Sequence, residues 1–106
     1  MSDALVVFCT CADRKTAEHI AHSVVAAELA SCVNEVSGIR SHYRWEGKIT
    51  TDEEILLIIK TTRASYPRLE KTILAAHPYE LPEVVAVPIE CGLEGYLRWI
   101  EDNTSP

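Results

Sequence analysis

Three short runs of this chain are apolar at every position, not at every second one. They are Leu5-Val6-Val7-Phe8-Cys9, Ile55-Leu56-Leu57-Ile58-Ile59 and Val84-Val85-Ala86-Val87-Pro88-Ile89. Each has the length of a strand and is far too short to span a membrane. Successive side chains of a strand point to opposite faces of its sheet, so a strand apolar throughout is buried on both faces. That is a heavy demand on 106 residues. A chain of this size forms one domain and buries roughly two-thirds of its unfolded surface. We therefore read residues 1–106 as a single domain.

Between these runs the period changes. Ala17, Ile20, Ala21, Val24 and Ala27 recur at helical spacing behind Asp13, a good N-cap, which predicts a helix over 14–30. His19 and His22 fall on its solvated side. Residues 31–46 and 48–61 read as a long hairpin about the turn signal Glu46-Gly47, interrupted by a bulge at Ser37-Gly38. Tyr43 and Trp45 lie on one face of it. A second helix opens near Ser65 with Pro67 in its first turn, and Leu69, Ile73, Leu74 and Ala76 face the core. Pro78 disfavours helical dihedrals at His77 and ends this helix, and Pro82 keeps the next strand from starting before it. Leu93, Tyr96, Leu97 and Ile100 mark a short final helix.

The order β-α-β-β-α-β with an added helix is that of an α+β ferredoxin-like sandwich. Right-handed crossovers place both main helices on one face of the sheet. The other face, apolar by the argument above, then needs a cover. The last helix is too short to supply it, so the economical cover is another copy of the chain.

The net charge of −6 leaves no basic surface for nucleic acid. Met1-Ser2-Asp3 has no basic leader, which predicts a cytoplasmic protein away from membranes, with Cys9, Cys11, Cys32 and Cys91 as reduced thiols. No CxxC pair offers a zinc ribbon or a thioredoxin motif. The segment His77-Pro78-Tyr79-Glu80-Leu81-Pro82-Glu83 sets an imidazole, a phenol and two carboxylates on backbone stiffened by two prolines. Cys9 and Cys11, two apart on a strand, share one face. Thiolate and imidazole are the donors that soft and borderline metals prefer. A Cys9–His77 nucleophile pair has neither a third member nor an oxyanion hole in the sequence, so no enzyme is expected.

Several of these stretches resemble one family. Cys9-Thr10, Ala30-Ser31-Cys32, Ser41-x-Tyr43-x-Trp45-x-Gly47-Lys48, Glu54 through Lys60-Thr61 and His77-Pro78-Tyr79-x-x-Pro82-Glu83 are similar, in that order, to the CutA divalent-cation-tolerance proteins. The resemblance runs from about residue 5 to 100. It implies a homotrimer laid out like the PII signalling proteins, with the hairpin reaching a neighbouring subunit through Tyr43 and Trp45. It also implies copper or another divalent metal ion at Cys9, position 76 and His77. Position 76 is Ala76 here and cannot ligate, so Cys11 is the candidate replacement. A cleft lined by Trp45, Lys48, Glu54, Lys60 and Tyr79 is the corresponding place for a small ligand. The alternative reading is a PII-like sensor or interaction scaffold that uses this cleft.

Overall fold

The computed structural model describes residues 3–105. Its elements are β1 (Ala4–Cys11), α1 (Arg14–Ala26), β2 (Cys32–Trp45), β3 (Lys48–Thr62), α2 (Tyr66–Ala76), β4 (Val84–Pro88) and α3 (Glu94–Asp102). The four strands form one antiparallel sheet in the order β2-β3-β1-β4. This is the α+β arrangement expected for two interleaved β-α-β units. The strands β2 and β3, of 14 and 15 residues, outrun the rest of the sheet. They give the chain a long axis of 44 Å against 25 and 22 Å. Their register shifts between Val36 and Ile39, where Gly38 takes φ +79°, so the expected bulge is present.

Directly paired residues of an antiparallel sheet point to the same face. Val7 pairs with Ile59 and Ala86, and Cys9 with Leu57 and Val84. With Cys11 these define the inner face. It packs on Ala17, Ile20 and Val24 of α1 and on Leu69 and Ile73 of α2. The outer face carries Val6, Phe8, Leu56, Ile58, Val85 and Val87. Burial on both faces is not achieved within one chain. Val7, Leu57 and Ile59 are fully buried, whereas Val85 and Val87 stay 50% and 45% exposed. The reason is the reach of α3. This nine-residue helix reaches β1 and β3, with Tyr96 against Cys32 and Ile100 buried apart from the main core.

Two helix details differ from the sequence reading. The first helix stops at Ala26, short of residue 30. Glu28 takes the left-handed φ of 58°, its N–H donates to the Val25 carbonyl, and the Leu29 N–H donates to the Val24 carbonyl. This is a Schellman stop, with buried Leu29 against Val24, made without the usual glycine. Leu74 is half exposed and not part of the core. It lies about 100° around the helix from Ile73, and the buried stripe runs through Leu69, Ile73 and Ala76. The Asp13 cap is present, its carboxylate accepting from the Thr16 N–H at 2.7 Å. Capping holds the Asp13 carboxyl below its ordinary range. The α2 helix ends at His77, as the following proline requires.

Candidate functional site

The inner face of β1 ends in Cys9 and Cys11, and the chain leaving α2 carries His77 back over them. The donor atoms of these three residues all lie within 4.8 Å of one another, and all three side chains are buried. Packing of α2 on the sheet sets this convergence, and Pro78 fixes where the helix releases His77. Two hydrogen bonds then orient the ring. Its Nδ1 accepts from the Tyr79 N–H at 3.1 Å, so Nε2 carries the proton and donates to the Thr10 carbonyl at 2.8 Å. The ring of Tyr79 lies 4.6 Å from that of His77. The Cys9 thiol is pushed well up, first by its hydrogen bond with Cys11, then by burial and by the negative charges of Glu83 and Glu54. The same bond lowers Cys11.

The donors fit a soft metal ion. With metal–sulfur bonds of about 2.3 Å and metal–nitrogen bonds of about 2.0 Å, three donors around one ion sit roughly 3.5–4.0 Å apart. Donors that already lie within 4.8 Å of one another need a contraction of about 1 Å or less to reach it. Sulfur, sulfur and imidazole nitrogen select copper or zinc over magnesium or calcium. Binding would replace the Cys9 proton and one of the two His77 hydrogen bonds. Ala76 lies in the last turn of α2, partly buried against the core, and offers no donor. Cys11 supplies the third donor in its place. His19 and His22 are exposed on α1, away from this set.

A second arrangement lies on the outer face, where the long hairpin meets the loop after α2. Here a cleft of about 730 Å³ is lined by Thr10, Ser41, His42, Tyr43, Trp45, Asp52, Glu54, Tyr79, Glu80, Leu81 and Glu83. Of the expected cleft residues, the structure brings Trp45, Glu54 and Tyr79 together. The Tyr79 hydroxyl donates to Glu54 Oε2 at 3.0 Å, and the Tyr43 hydroxyl donates to Asp52. The carboxylates raise both phenols, after burial in the case of Tyr79. Lys48 and Lys60 are not in the cleft. Lys60 shares the face of Glu54, but six residues along a strand is roughly 20 Å. Its ammonium donates to Asn34 instead. Lys48 is exposed at the hairpin tip opposite Trp45. Tyr43 and Trp45, expected at an interface, are 40% and 53% exposed in the single chain. Asp52 is one of several cleft residues that sequence reasoning missed. The hairpin register would have found it, because Asp52 pairs with Ser41, two places from Tyr43.

Residues 5–103 match the family described as CutA1 divalent ion tolerance protein. This chain belongs to that family. It is similar to the divalent-cation tolerance protein CutA of Thermus thermophilus, with 44% identity over 99 residues, 93% of this chain and 96% of that one. It is also similar to the chloroplastic protein CutA of Arabidopsis thaliana, 44% identical over 101 residues, 95% of this chain but 56% of that one. The chain spans about half the length of the plant relative. Among solved structures, CutA of Xylella fastidiosa superimposes with a TM-score of 0.96 at 42% identity, covering 98% of this chain and all of that one. The CutA1 family membership agrees with the fold described above.

Proposed function

We propose that this member of the CutA1 family acts in divalent cation tolerance by holding a soft metal ion, copper foremost, at Cys9, Cys11 and His77. The observation that carries this reading is the buried sulfur, sulfur and nitrogen set within 4.8 Å. Within it Cys9 and Cys11 would hold the ion as thiolates, with His77 as the neutral third ligand. The metal would be cargo, bound and released.

The same reading includes a homotrimer. Its support is the outer face of the sheet, apolar along β1, β3 and β4, where Val85 and Val87 stay about half exposed in the single chain. A neighbouring copy would complete the burial that the three apolar runs demand.

Competition titration of the reduced protein against a copper chelator tests the metal reading. Wild type should bind copper more tightly than magnesium or calcium, and Cys9→Ser and His77→Ala should each weaken it. If both variants bind like wild type, the site is elsewhere, and His19 with His22 is the next place to look.

A further inference from the structure

We propose that metal binding at Cys9, Cys11 and His77 releases the Tyr79 N–H from His77 and shifts Tyr79, so that occupancy of the buried site is passed to the outer side of the sheet. The inference rests on the metal reading above and concerns what that binding does to the chain.

A neutral imidazole has one N–H and one nitrogen lone pair. His77 has committed both. Its Nε2 donates to the Thr10 carbonyl at 2.8 Å, and its Nδ1 accepts from the Tyr79 N–H at 3.1 Å. Ligation of a metal ion needs that same lone pair. Ligation through Nδ1 leaves the Nε2 proton on a backbone carbonyl, the arrangement that commonly orients a metal-bound histidine. It withdraws the lone pair from Tyr79. Ligation through Nε2 would move the ring proton to Nδ1 and set it against the Tyr79 N–H, donor facing donor. By either nitrogen the Tyr79 N–H loses its acceptor. The bond belongs to the metal-free state alone, so metal shifts the balance between two arrangements of this residue.

Tyr79 joins the two sides of the sheet. Its ring lies 4.6 Å from that of His77, and its hydroxyl donates to Glu54 Oε2 at 3.0 Å. Glu54 lies on β3 two residues before Leu56, so it shares the outer face, while His77 sits over the inner one. Residues 77–83 belong to no helix or strand, so a shift of Tyr79 breaks no bond of the sheet or of α2.

The test uses the full chain, labelled with nitrogen-15, metal-free and with one equivalent of Cu(I) added anaerobically. Cu(I) is diamagnetic, so every resonance stays readable. The nitrogen shifts of the His77 ring show whether it ligates. Amide exchange at Tyr79 should quicken about fivefold to tenfold on loading, the worth of one hydrogen bond. The His77 N–H, bonded to the Ile73 carbonyl at 2.9 Å, should keep its protection. In His77→Ala the Tyr79 amide should exchange fast with and without Cu(I); if that variant does not fold, the wild-type comparison decides. Ring ligation with an unmoved Tyr79 amide would overturn the inference and leave the metal reading standing. So would equal loss of protection at the His77 N–H, the mark of general loosening, or a copper response at Tyr79 that survives His77→Ala. A His77 ring that does not ligate would overturn both.

Discussion

Val85→Asp combined with Val87→Asp probes the outer face at positions where the chain by itself has little to lose. Both valines lie on β4, an edge strand, and are 50% and 45% exposed. Full burial of a valine is worth about 1.5–3 kcal/mol, so the exposed halves still hold about 1 kcal/mol each, to be gained only on assembly. A carboxylate placed there adds several kcal/mol of desolvation cost if a neighbouring copy covers it. Each subunit of the trimer would bear this penalty. Light scattering at micromolar concentration should give close to three times 11.8 kDa for the wild type. The variant should fall to the mass of one chain. A wild type that scatters as a monomer would refute the reasoning, and so would a double variant that keeps the threefold mass. An even-numbered wild-type oligomer would keep the covered face and reject the threefold packing.

Two further outcomes follow from single contacts. Thr61 is fully buried and donates to the Leu29 carbonyl at 2.6 Å, so Thr61→Val leaves that carbonyl unpaired and should cost about 1–3 kcal/mol. Urea unfolding should show a lower midpoint at unchanged slope, and an unmoved midpoint would count against the bond. Copper affinity should rise with pH, because the raised Cys9 thiol keeps its proton until the metal displaces it. The slope is about tenfold per pH unit for each proton released, and a flat profile across neutral pH would mean that no thiol proton is displaced.

Most of the fold is legible in the sequence because local signals agree with tertiary ones. Pro78 and Pro82 bracket the loop after α2, the helical stripe on α1 starts behind Asp13, and Gly38 marks the bulge. The end of α1 was not legible, because its left-handed residue is Glu28 where a glycine would have announced the stop. The pairing of Cys9 with Cys11 follows from strand parity alone. The arrival of His77 above them follows from how α2 lies on the sheet, which no local pattern encodes; resemblance, and not spacing, joined it to Cys9. The cleft shows the opposite failure. Grouping Lys60 with Glu54 from their motif ignored the rise of the strand, while Asp52 could be placed by counting along the hairpin. The apolar runs lead one to expect burial on both faces, and the single chain fully buries only the inner one.

X-ray absorption at the copper edge, on reduced protein loaded with one equivalent of copper, tests the central claim most directly. The account predicts sulfur scatterers in the first shell together with a histidine imidazole, and loss of sulfur from that shell in Cys9→Ser with Cys11→Ser. A wild-type shell of nitrogen and oxygen alone would contradict it.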